Sequence, residues 1–75
     1  MAKFTCKGFQ SVNAHNAREA AYIFGNRLAR RHRLGRCRDV HFDSYARNAA
    51  NFEIILGKSD TALGLRVYLT ITEGK

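Results

Sequence analysis

The sequence predicts one α+β domain with the order β-α-β-β-β, in which a single helix packs on one face of a four-stranded, mainly antiparallel sheet. Three observations predict it. Four stretches alternate apolar and polar residues with period two, one stretch repeats its apolar residues at i, i+3, i+4 and i+7, and 75 residues suffice for one domain and no more. Each strand has one apolar side, so one helix laid on one sheet face satisfies all five elements. The other sheet face is then open, because one helix of about 30 Å cannot cover both sides.

Lys3 to Gln10 alternates, with Phe4 and Cys6 on one side and Thr5, Lys7 and Phe9 on the other. Ser11 to Asn13 breaks the pattern. Asn13 can cap a helix with its side-chain oxygen, and Asn16 could do the same three residues later. From Ala14 to about Leu34 the spacing is helical, with Ala17, Ala20, Ala21, Phe24 and Leu28 on one stripe and Arg18, Glu19, Asn26, Arg30 and Arg33 facing away. Gly25 reads as a mild internal weakness, costing about 1 kcal/mol relative to alanine. Gly35 reads as the stop, since the residue after a helix often needs positive φ.

Asp39 to Tyr45 alternates again, with Val40 and Phe42 inward. Arg47 to Ala50 is a short connection, and Phe52, Ile54 and Leu56 form the inner side of a third strand. Gly57 to Thr61 is a turn. Leu63, Leu65, Val67, Leu69 and Ile71 give the clearest alternation in the chain, opposite Gly64, Arg66, Tyr68, Thr70 and Thr72. The expected core sets the stripe from Ala17 to Leu28 on Phe4, Val40, Phe42, Phe52, Ile54, Leu65, Val67 and Leu69. The strand order stays open, and the last strand could lie at an edge and pair with its copy, which would give a homodimer.

A chain this short buries only about 60% of the surface its unfolded form exposes. Hydrophobic residues make up 45%, enough for one compact core. The net charge is +7, and nine of the thirteen basic residues are arginine. Arginine presents a planar fork suited to phosphate and carboxylate, whereas lysine is a point charge. The two cysteines, Cys6 and Cys37, make neither a CxxC nor a disulfide framework, and they read as reduced thiols in a cytoplasmic protein, with Cys6 pointing to the core. No signal peptide is evident, and no apolar stretch approaches the ~18 residues that span a bilayer, so no membrane partner is expected.

Arg27, Arg30, Arg31, Arg33, Arg36 and Arg38 fall within twelve residues, with His32 among them and no acid between them. The bland reading is a solvated helix end whose positive charges suit the helix dipole. The contact reading is stronger, because the flanking segments supply no acid except Asp39, and a dense positive patch must face an anion: nucleic acid or an acidic protein surface. The open sheet face is the second candidate, presenting Thr5, Lys7, Phe9, His41, Tyr45, Ile55, Arg66 and Tyr68. Aromatic and basic residues interleaved on a bare sheet suit base stacking. The same face could equally bury Ile55 and Phe9 against a second copy.

Asp39, His41 and Asp43 share the outer side of one strand in this reading. A metal or an acid–base pair there would need further ligands, and a solvated strand in which two carboxylates favour protonated His41 is the simpler account. His32, Cys37 and His41 fit no common zinc spacing. No nucleophile elbow, phosphate loop or Ser/His/Asp arrangement is present. The expectation is a protein that is not an enzyme, with no catalytic residue, no metal and no cofactor.

The stretch Asn16-Ala17-Arg18-Glu19-Ala20-Ala21-Tyr22-Ile23-Phe24-Gly25-Asn26-Arg27-Leu28-Ala29-Arg30-Arg31, followed by Leu34-Gly35-Arg36 and a strand, resembles small proteins of phages and mobile elements. With the β-α-β-β-β order it is similar to several type I anti-CRISPR proteins. The resemblance implies stoichiometric inhibition, by binding the RNA-guided surveillance complex of a host cell and stopping it from engaging target DNA. Many members are acidic and mimic DNA; this chain is basic, so it would meet an acidic subunit surface or the bound RNA or DNA. The residues expected to make contact are Arg27, Arg30, Arg31, Arg33, Arg36, Arg38, Arg66, Tyr68 and Tyr45. The alternative is a small basic DNA- or RNA-binding module of phage origin.

Overall fold

The structure is a computed structural model that describes residues 1–57 and 64–74. Its elements are β1 (Ala2–Thr5), β2 (Val12–Ala14), α1 (Ala17–Arg31), β3 (Arg36–Ala46), β4 (Ala49–Gly57) and β5 (Leu65–Gly74). The strands form one sheet in the order β2-β1-β5-β4-β3, and every neighbouring pair is antiparallel. The α+β class and the single helix on one sheet face agree with the pattern in the sequence. The strand count does not: there are five among the described residues, not four. The last strand is also not at an edge, because β5 lies between β1 and β4.

The extra strand arises from a turn inside the segment Lys3 to Gln10. Phe9 donates its backbone N–H to the carbonyl of Cys6 at 3.0 Å, and Gly8 takes φ +89°, a conformation that favours glycine. The chain therefore reverses after Thr5 and returns as β2, pairing Ala2 with Ala14 and Phe4 with Val12. Asn13 sits in β2 and caps nothing. Asn16 is the cap: its Oδ1 accepts the backbone N–H of Glu19 at 2.8 Å, and the Glu19 carboxylate accepts the N–H of His15 at 3.2 Å.

The helix is shorter than expected by three residues at each end. Its stop is Arg33, not Gly35. The N–H of Leu34 reaches the carbonyl of Ala29 at 2.8 Å, the N–H of Arg33 reaches that of Arg30 at 3.3 Å, and Arg33 takes φ +57°. These two bonds satisfy carbonyls that the helix would otherwise leave open. Gly35, at φ +87°, serves the turn into β3.

Ala20, Ala21, Phe24, Gly25 and Ala29 form the buried stripe of the helix. Gly25 is a point of close approach rather than a weakness. A Cβ there would lie 2.9 Å from Cys37 Sγ and 3.0 Å from Ile54 Cγ2. Asn26, expected to face away, is half-buried, and its Oδ1 accepts the backbone N–H of Cys37 at 2.8 Å, which pins the helix to β3. Phe4, Val40, Phe52, Ile54, Leu56 and Ile71 complete the core, with Cys6 and Cys37 as buried free thiols.

Phe42 and Leu65, both expected in the core, are 48% and 49% exposed. The helix begins beside Ala50 and Ile71, where Ala17 borders the same hollow as those residues, and passes over Cys37 and Ile54 at Gly25. It thus crosses the sheet diagonally. Fifteen residues reach about 22 Å, and two corners of the helix-side face stay bare. The turn expected at Gly57 to Thr61 lies outside the described residues except for Gly57, which ends β4; Leu63 lies outside them as well. Among the described residues no helix is long and apolar enough to cross a membrane.

Candidate functional site

The arginines gather where the helix ends. α1 runs toward the end of the sheet at which β3 starts, β4 finishes and β5 begins, since Arg36 pairs with Gly57 and Leu56 with Leu65. Arg27, Arg30 and Arg31 lie at helical spacings of three and four, so they share one face of the last two turns. Arg33 occupies the capping turn. Arg36 and Arg38 follow at the start of β3.

Two of these side chains are held by the turn that begins β2. Arg27 Nη1 donates to the carbonyl of Gln10 at 3.2 Å, and Arg31 Nη2 donates to the carbonyl of Gly8 at 3.3 Å. The Arg31 guanidinium also lies 4.5 Å from the centre of the Phe9 ring. With Arg30 they border a hollow of about 510 Å³ against Gly8, Phe9 and Gln10. Among the described residues none of Arg27, Arg30, Arg31 and Arg33 pairs with a carboxylate. All four are exposed.

Arg36 and Arg38 belong to the other side of the same end. Gly57 alternates with the inward Leu56, so it faces the open side of the sheet, and a Cβ on it would lie 2.9 Å from Arg38 Cδ. The Arg38 side chain therefore runs along the open face against Gly57 and Gly64. The six arginines crowd one end of the molecule but are divided between its two faces.

The open face differs from the expectation at two aromatic residues. Phe9 is not on it: the turn at Gly8 carries it to the helix side, where its ring lies 5.7 Å from that of Phe24. Tyr45 is not on it either. The β3–β4 register shifts between Phe42 and Ser44, so Asp43 is an extra residue, and Tyr45 pairs with the inward Ala50. Tyr45 is 79% exposed on the helix side, its ring 4.6 Å from that of Phe42, at one of the two bare corners. Asp39 and His41 lie 2.9 Å apart on the open face, and Asp43 stays on that face as expected, where its carboxylate accepts the Ser44 hydroxyl at 3.2 Å.

What remains on the open face is a polar surface of cross-strand rows. Tyr68 donates its hydroxyl to Glu53 at 3.0 Å, and Arg66 lies 3.6 Å from the same carboxylate. Thr70 donates to Asn51 at 2.7 Å, and Asn51 donates to Ser44 at 3.1 Å. The Glu53 carboxylate raises the Tyr68 pKa by accepting its proton in a hydrogen bond and by charge. Arg66 and Tyr68, two of the expected contact residues, are thus tied to an acid in the centre of this face.

Sequence reasoning missed the Gly8–Gln10 turn as part of the site. The pair Lys7-Gly8 followed by an aromatic was the available signal, since glycine inside an alternating run marks a bend. Both thiols are buried. Burial pushes the Cys6 thiol up, and pushes Cys37 up to about 11.

No family model, no curated protein and no solved structure matches this chain.

Proposed function

We propose that this chain is a non-catalytic binding protein that docks an anionic partner on its arginine-rich end, and that it acts as an anti-CRISPR inhibitor of a type I surveillance complex. The observation that carries the binding reading is the set Arg27, Arg30, Arg31 and Arg33, exposed at one end of the fold and without carboxylate partners among the described residues. The complex as partner rests on the resemblance of the Ala/Arg-rich helix to that class. On this reading the protein works in the host cytoplasm and blocks target DNA engagement by occupying its approach.

The open sheet face contributes less than the arginine end. Glu53 sits between Arg66 and Tyr68 and repels phosphate, and the aromatic residues Phe9 and Tyr45 are on the other side. A second reading, a small basic DNA- or RNA-binding module, draws on the same four arginines. Co-elution with a crRNA-guided type I complex, run beside mobility shifts on single-stranded and duplex probes, separates the two. Co-elution without any shift favours the inhibitor. A shift that collapses as salt rises, with no co-elution, favours the module.

A further inference from the structure

We infer that the hollow between the helix end and the Gly8–Gln10 turn is a nucleotide subsite that takes one unit of a single nucleic-acid strand. This rests on the arginine end being the docking surface, and it names the chemistry of what docks. The phosphates belong to Arg27 and Arg30, and the base belongs to the outer face of the Arg31 guanidinium.

Three features of the geometry support it. The first is pre-organisation. Arg27 and Arg31 each spend one donor on a main-chain carbonyl of the turn, at 3.2 and 3.3 Å, and so are held before any ligand arrives. A guanidinium has five N–H donors, so each keeps others for phosphate oxygens. Much of the side-chain ordering that binding would otherwise require is already in place.

The second is the stack of Arg31 on Phe9, 4.5 Å from guanidinium to ring centre. The guanidinium carbon lies over the ring, and Arg31 is exposed to solvent. A planar cation backed by an aromatic is a platform for a base, whereas a carboxylate would use the edge of the fork and gain nothing from the plane. This favours nucleic acid over an acidic protein segment. The third is size and sign. The hollow holds about 510 Å³, in the range of small-ligand sites, and no acid among the described residues lines it.

The subsite suits an unpaired strand, because the base must leave its neighbours to reach Arg31. In the proposed inhibitor the strand would be exposed guide RNA or displaced target DNA. In the alternative module it would be free nucleic acid.

The test is fluorescence anisotropy with a labelled oligothymidylate, the abasic strand of the same length, and a polyglutamate peptide. Three variants are compared with the parent: Arg31→Lys, which keeps the charge and loses the plane, Arg30→Gln and Arg27→Gln. The base-bearing strand should bind at least about fivefold more tightly than the abasic one, the weaker end of what one stacked base supplies. Arg31→Lys should remove that preference while leaving abasic binding nearly unchanged. Arg30→Gln and Arg27→Gln should weaken both strands alike, each lowering the salt slope by about 0.7. Equal binding of the two strands, or polyglutamate binding as well as either, would overturn the subsite. If no oligonucleotide binds yet the protein co-elutes with a surveillance complex through its arginines, the subsite fails and the docking surface stands. If neither occurs, both fail.

Discussion

A Cβ placed on Gly25 would sit 2.9 Å from the sulfur of Cys37, so these two residues mark where the helix axis comes nearest the sheet. The same approach lets Asn26 reach the backbone N–H of Cys37. The helix is thereby fixed over the start of β3, and the arginines before and after the turn are brought to one end of the fold.

Gly25→Ala should therefore destabilise the protein, against the gain of about 1 kcal/mol that helix propensity alone would give. The added methyl would press on Cys37 and on the Ile54 side chain at 3.0 Å, and overpacking of this kind costs about 1–3 kcal/mol. Thermal or urea unfolding decides the matter. A more stable Gly25→Ala protein would mean that helix and sheet are further apart than described.

Arg33→Gly should stabilise the fold by about 1 kcal/mol. Arg33 holds φ +57° at the capping turn, where a side chain is strained and glycine is not. The loss of one cation near the helix C-terminus subtracts a few tenths of a kcal/mol. Stability and binding should move in opposite directions in this variant, because it also removes one of the four exposed arginines.

Both cysteines should resist alkylation in the folded protein at neutral pH and react once it unfolds. Burial raises both thiols, Cys37 to about 11 from an ordinary value of 9.0. The folded state holds these protons more tightly than the unfolded state does. The contribution to stability is complete below pH 9 and is lost as pH rises from there through about 11. Unfolding midpoints measured across that window should fall in the parent and stay flatter in Cys37→Ala. Rapid labelling of native protein at neutral pH would contradict the buried placement.

Much of this fold was legible in the alternation of residues 39–42, 52–56 and 65–71 and in the spacing of Ala20, Ala21 and Phe24, because burial on one face imposes period two on strands and 3.6 on helices. The remainder was set by single-residue events that periodicity does not register. Gly8 cuts an apparent eight-residue strand short at Thr5, and the returning β2 has only three residues, too few to show a pattern. One extra residue at Asp43 moves Tyr45 to the other face from Tyr68. The arginine run itself was plain in the sequence. Its division between two faces, and the turn at Gly8–Gln10 that holds Arg27 and Arg31, depend on pairings between distant segments.

The docking surface is tested most directly by reversing charge where the fold does not depend on it. Arg31 supports the Gly8 turn, so Arg30→Glu combined with Arg33→Glu is the cleaner change, each substitution costing at most about 1 kcal/mol at a helix C-terminus. The measurement is co-elution of this variant with a type I surveillance complex, together with its affinity for a single strand and its melting curve. The predicted result is a cooperative, near-parental melt with binding to both lost. Parental affinity for either partner in a folded double variant would contradict the account.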